Sequence, residues 1–149
     1  MGLSKFLLTI PLILLSSSLY ANDITGIWQQ IDDRSGTPKA LIKISKDSEK
    51  IYTGKIVKIT PRPGYTPRQI CQNCPAPYTN APILGLDVIR GLTSAKQPNQ
   101  FEGGQIIDPL TGKTYSVRAK LNPSGKRLTL RAFIGVSSLA RSQTWIRLD

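Results

Sequence analysis

Apolar and polar positions alternate along most of this chain. In residues 113–121, KTYSVRAKL, the side chains of Tyr115, Val117, Ala119 and Leu121 fall on one side of an extended strand, and Thr114, Ser116, Arg118 and Lys120 fall on the other. In 126–134, KRLTLRAFI, the apolar set is Leu128, Leu130, Ala132 and Ile134. Between them stands NPSG, Asn122 to Gly125, whose residues favour a tight reversal. Residues 113–134 therefore read as a β-hairpin.

The same period of two predicts further strands at 24–31 (ITGIWQQI), 40–45 (ALIKIS), 51–59 (IYTGKIVKI), 83–92 (ILGLDVIRGL), 101–108 (FEGGQIID) and 142–148 (SQTWIRL). Links rich in Gly, Pro, Asp and Ser separate them. No segment carries a long 3.6-residue period, which excludes β-α-β folds. Two stretches break the pattern. Residues 60–82 form one long connection rich in proline, which fixes φ and removes backbone donors. Residues 135–141, GVSSLAR, read as a loop or a single helical turn.

Eight consecutive strands on short links favour an antiparallel up-and-down meander. Closing such a sheet into a barrel removes its exposed edges. A two-sheet sandwich is the alternative, but it prefers Greek-key crossovers. An eight-stranded barrel has an interior filled by side chains, or room for one small ligand.

The first residues change the setting. Lys5 precedes an apolar run, Phe6 to Leu15, and SSSLYA then ends in Ala21. This is the layout of a secretory signal peptide over 1–21, with the single domain at 22–149. The run is shorter than the roughly 20 apolar residues needed to span a bilayer. Export, to the periplasm or beyond, is the expectation, and no transmembrane segment is expected.

Charge and composition narrow the chemistry. The chain has 20 Lys and Arg against 9 Asp and Glu, a formal net charge of +11, and loss of the leader removes only Lys5. The cations are spread along strands, as in "GKIVKI" and "KRLTLRAF", so they read as solvated strand faces rather than a specific nucleic-acid surface. Weak, salt-sensitive attraction to anionic envelope polymers or lipid follows from the charge. There is no histidine, which removes the commonest general base and the commonest metal ligand. No cofactor and no catalytic residue is assigned, and an enzyme is not expected.

Cys71 and Cys74 are the two cysteines of the chain. Zinc needs four ligands, and no acidic residue lies between Glu49 and Asp87, so only a dimer-shared site would serve. A thioredoxin-like redox centre wants the pair at a helix start, which "PAPYTNAP" after Cys74 cannot provide. An exported chain with an even cysteine count favours a small structural disulfide. Asp108-Pro109 with Gly112 reads as turn chemistry. Gly103-Gly104 reads as a bulge or barrel corner. Asp87 and Glu102 are a conceivable carboxylate pair whose separation a sequence does not give.

Gly26-x-Trp28 near the start and Arg147 near the end resemble the calycin superfamily of lipocalin-like barrels. That resemblance implies that Trp28 and Arg147 meet across a closed barrel end in a cation–π contact. A fuller set of motifs follows in order. Gly36 and Lys39 lie in the first turn, followed by Gly54-Lys55-Ile56, Cys71-x-x-Cys74 and Pro82-x-x-Gly85-Leu86. Then come Gly103-Gly104-x-Ile106-x-Asp108-Pro109-x-x-Gly112-Lys113-x-Tyr115, Arg131, Phe133-Ile134-Gly135 and Thr144-Trp145-x-Arg147. This looks like the family of small exported bacterial proteins named domain of unknown function 2147. The chain departs from it at Ala132 and Ala140, where that family tends to carry glycine. The resemblance implies export and a lipocalin-like barrel, and it supplies no activity.

The functional expectation is a binding module. A small apolar or amphipathic molecule would enter at the end opposite Trp28. Tyr65 and Tyr78 in the long loop would form a rim, and Tyr115, Val117, Leu128 and Leu130 an inner face. A small-molecule site needs about 300 Å³. The alternative is a structural or envelope-interaction protein with a filled barrel and a basic outer face.

Overall fold

The computed structural model describes residues 23–135 and 141–149, with Gly2, Ser4 and Pro11 ahead of them. The leader expected over 1–21, apart from those three positions, and the turn expected around 136–140 lie outside the described residues. Eight strands follow one another: β1 Gly26–Ile31, β2 Pro38–Lys46, β3 Tyr52–Ile59, β4 Asp87–Ser94, β5 Gln100–Ile107, β6 Thr114–Leu121, β7 Arg127–Phe133 and β8 Arg141–Arg147. Each pairs antiparallel with the next, and β8 returns to β1, so the sheet is a closed barrel in up-and-down order. No helix among the described residues is long and apolar enough to cross a membrane.

Local chemistry sets the turns. Asp108 accepts the Gly112 amide on its carbonyl (2.7 Å) and the Leu110 amide on its carboxylate (2.9 Å), with Gly112 at φ 76°. In the β6–β7 turn the Asn122 side chain accepts the amides of Lys126 and Arg127, each at 3.0 Å. The double glycine is a bulge. The β5–β6 register shifts between Phe101 and Gly104, and Gly103 takes φ 75°, which a residue with a Cβ rarely adopts. Gly104 points inward, and a Cβ there would stand 2.9 Å from Leu92.

One boundary differs from the sequence reading. Residues 83–86 do not belong to β4, which starts at Asp87, and the long connection runs over 60–86. Ile83 and Leu86 are buried all the same. Their apolar side chains serve loop packing, so hydrophobicity alone extended the strand too far.

Pairing fixes which side chains face the axis. Trp28, Ile42, Ile56, Ile89, Ile106, Tyr115, Val117, Ala132, Leu130, Gln143, Trp145 and Gln30 all lie on the inward register. Toward the end that holds the start of β1 and the end of β8, this register is sealed by Ile44, Tyr52, Phe101, Leu121 and Leu128, none more than 4% exposed. Toward the other end it opens. Gln30, Tyr115, Ala132 and Gln143 are only half-buried. The barrel thus has a filled lower interior and a half-exposed upper end, the cup.

Candidate functional site

The filled end is built around Trp28. Its indole Nε1 donates to the Ile24 carbonyl at 2.9 Å, and the Arg147 guanidinium lies 4.5 Å from its ring centre. Three guanidinium nitrogens donate to backbone carbonyls: Nε to Gly125 (2.8 Å), Nη1 to Thr25 (2.7 Å) and Nη2 to Asp23 (2.6 Å). One side chain thereby ties the β6–β7 turn to the segment entering β1. A planar five-donor fork suits this task, and an ammonium does not.

Beside it stand Asp23, Lys46 and Tyr52. Lys46 donates to Asp23 at 3.0 Å and lies over the Tyr52 ring at 5.7 Å. Tyr52 meets Phe101 edge-to-face, 5.4 Å between centroids. Burial lifts the Asp23 carboxyl, but the Thr25 amide and the Lys46 ammonium outweigh it, and its pKa lies below the ordinary value. The bond to Asp23 holds the Lys46 pKa up, and burial with the Asp23 charge holds that of Tyr52 up.

The cup at the other end comes from four adjacent strands: Tyr115 of β6, Ala132 of β7, Gln143 of β8 and Gln30 of β1. Gln143 Oε1 accepts from Gln30 Nε2 at 3.1 Å and from Trp145 Nε1 at 3.2 Å. The pair leaves its Gln143 amide nitrogen and Gln30 oxygen unused between themselves. Exposed Arg141 follows on the same register, opposite Ala132. Below the cup, Val117, Leu128 and Leu130 are at most 1% exposed and are barrel packing. Of the four residues expected to form an inner face, Tyr115 alone stands at the opening. Gln30, Ala132 and Gln143 were not among the expected site residues. The signal was present, since Gln30 is two residues from Trp28 and Gln143 two from Trp145.

The long loop joins β3 to β4 at the cup end, as expected, and folds back from there over the outside of the barrel. Cys71 and Cys74 form a disulfide and are 0% and 3% exposed. The loop closes on itself through Cys71 N to Ala81 O and Asn80 N to Cys71 O, both 2.9 Å. Tyr78 stacks on Arg90 at 4.6 Å, and Arg90 pairs with Gln105 on the outward register. Ile107, one position past inward-facing Ile106, is only 2% exposed. Asn73 sits against Gly112, where a Cβ would overlap its carbonyl, and Arg68 donates to Leu110 O at 2.9 Å. The disulfide segment is therefore folded over the outer wall of β4–β5. Tyr78 belongs to that wall, and Tyr65, exposed, rests against Arg62 at 5.0 Å. Tyr78 therefore faces the outer wall and not the barrel interior. Between β3 and this loop lies an outer concavity of about 580 Å³ lined by Val57, Ile59, Pro67 and Leu84.

Asp87 opens β4 at the cup end, whereas Glu102 pairs with Thr93 toward the filled end, so the two carboxylates stand apart. Among the described residues no three metal-capable side chains come together.

A closed, antiparallel, eight-stranded barrel sealed by a Trp–Arg stack at one end and open at the other is a lipocalin-like barrel. Residues 26–147 match the model of the family described as uncharacterized protein conserved in bacteria (DUF2147), and the chain belongs to that family. No curated protein sequence matches it. Among solved structures it is similar to protein HP1028 from Helicobacter pylori, which is described as belonging to the lipocalin family. The TM-score is 0.69 at 19% identity, over 85% of this chain and 84% of that one. At this identity the likeness concerns the fold.

Proposed function

We propose that this protein is an exported, non-enzymatic binding protein that takes a small amphipathic molecule in the shallow cup. One observation carries the reading: the inward register is sealed at the Trp28 end and half-exposed at Gln30, Tyr115, Ala132 and Gln143. A ring face and a methyl group offer apolar contact, two amides offer hydrogen bonds, and Arg141 at the edge favours an anionic head group. The filled lower barrel limits the guest to one shallowly seated chain or ring.

The Trp145 indole, bonded to Gln143, supplies the readout. Titration with a medium-chain fatty acid should shift Trp145 emission saturably. Ala132→Trp, which fills the cup, should abolish that shift while leaving the far-UV spectrum of the barrel. Native mass spectrometry of the exported protein should show a co-purified small molecule. Absence of any adduct, together with no saturable shift, would sink the reading.

A further inference from the structure

We infer that the cup end of the barrel docks on an anionic lipid bilayer through an apolar patch with a cationic border. In an up-and-down barrel whose first strand starts at the filled end, the links at 32–37, 60–86 and 108–113 lie at the cup end. Those at 47–51, 95–99 and 122–126 lie at the filled end. Large exposed apolar side chains follow this division. Tyr65, Ile70 and Leu84 stand in the long loop, Leu110 in the β5–β6 turn, Ile134 just past β7 and Val57 near the end of β3. The three filled-end links, DSEKI, AKQPN and NPSGK, expose none, and Leu148 beside them is the exception among the described residues. The patch is continuous along the loop. Val57, Pro67, Pro82 and Leu84 line the outer concavity of about 580 Å³ together with Lys58 and Arg68. Ile70 bridges to Pro82, and the bond from Arg68 to the Leu110 carbonyl joins the concavity to the β5–β6 turn.

Two features select a bilayer over a protein partner. The first is the supply of backbone hydrogen bonds. The sheet is closed, so it offers no edge on which a peptide could add a strand. Pro61, Pro67 and Pro82 in the concavity carry no N–H. A peptide laid there would find no donor on these residues for its carbonyls, whereas an acyl chain asks for none. The second feature is charge. From residue 50 to residue 86 the chain carries Lys50, Lys55, Lys58, Arg62 and Arg68 and no Asp or Glu. Lys55 lies near Asp87, while Lys58 and Arg68 border the concavity and Arg62 rests on Tyr65. Long basic side chains lay their stems on apolar surface and carry their charge to the anionic head-group layer. Tyr65 has the apolar ring and polar tip that suit the same layer. This surface lies outside the barrel wall and needs no guest in the cup.

The test is co-sedimentation of the full exported protein, with no guest added, with vesicles of phosphatidylcholine alone or mixed with phosphatidylglycerol. The mixed vesicles should bind about tenfold more tightly or better. Val57→Ser/Leu84→Ser should weaken that binding about tenfold or more, and Leu148→Ser, at the filled end, less than about twofold. Lys58→Gln/Arg68→Gln should weaken it about fivefold or more. Lys96→Gln/Lys126→Gln removes the same charge from the filled-end links and should weaken it less than about twofold. Leu84→Trp reports insertion: brominated acyl chains should quench the new indole and spare Trp28 and Trp145, both fully buried. Equal losses in the two charge variants, with none in the serine variant, would overturn the surface in favour of net charge alone. An unquenched Leu84→Trp on bound vesicles would overturn the apolar contact. Polyglutamate bound at this patch by a protein that ignores both vesicles would assign the surface to an acidic protein partner and overturn the bilayer. If Val57→Ser/Leu84→Ser fails to fold, Leu84→Ser alone, at a side chain 57% exposed, carries the same comparison.

Discussion

Among the described residues, Arg147 joins one ring stack to three backbone hydrogen bonds. These contacts tie the β6–β7 turn to the segment entering β1. A desolvated cation–π contact contributes about 2 kcal/mol, and a hydrogen bond from a charged group about 1.5–3 kcal/mol. These terms overlap, so Arg147→Ala should cost about 3 kcal/mol or more in urea unfolding. Arg147→Lys keeps the charge, loses the fork, and should cost nearly as much. A near-neutral lysine variant would show that only the charge matters. Tyr52 and Lys46 supply a pH signature. Both folded-state pKa values lie above the ordinary ones. Their stabilisation is therefore complete below about pH 10 and is lost as pH rises through the folded values. Asp23 is lowered, so its share is present above about pH 4 and fades as pH falls through the folded value. Tyr52→Phe should flatten part of the alkaline loss, measured as the urea midpoint between pH 8 and 11. An unchanged alkaline slope would remove Tyr52 from the account.

Among elements, the loop over 60–86 is the one whose placement is least local. Its hold on the barrel runs through the disulfide, the Tyr78–Arg90 stack and the close approach of Asn73 to Gly112. Gly112 has φ 76° and no room for a Cβ against that carbonyl, so Gly112→Ala meets both backbone strain and overlap. It should cost about 1–3 kcal/mol and raise amide exchange in 68–82 before the barrel strands. Uniform exchange throughout would mean that the loop and barrel open together. Cys71→Ser/Cys74→Ser removes a ring of very few residues, worth about 2 kcal/mol in the loop-entropy account. The barrel spectrum should survive that change. Collapse of the barrel on reduction would give the disulfide a larger role than its ring size allows.

For the whole molecule, closure joins β8 to β1 and divides the surface into regions with different chemistry. The cup is mixed, the β5–β8 wall is arginine-rich, and the β4–β5 wall is covered by the disulfide loop. The export we propose belongs to the same scale, because it would set whether the cysteines meet an oxidising compartment. We expect the exported chain to begin at Asn22, and N-terminal sequencing of fractionated protein checks this. A chain retaining Met1 would place the protein inside the cell, where the disulfide would be under reducing conditions.

The alternation of residues 113–134 was sufficient to set that hairpin, because side-chain direction in a strand depends only on parity and NPSG supplies the reversal. The same parity made the meander legible, and the resemblance of a Gly-x-Trp start and a late Arg to lipocalin-like barrels implied the Trp28–Arg147 stack that the structure contains. Parity says that Tyr115 and Leu128 both face inward. It does not say that one stands at an opening and the other in a sealed layer, since height along the axis depends on closure and stagger. Nor could it show that residues 83–86 pack as loop, because burial under a loop and burial in a strand select the same apolar side chains. The positions of Tyr78 on Arg90, of Asp87 far from Glu102, and of Arg118 facing Arg131 were all decided by tertiary structure. Each joins residues distant in sequence through pairings and packing that no local pattern encodes.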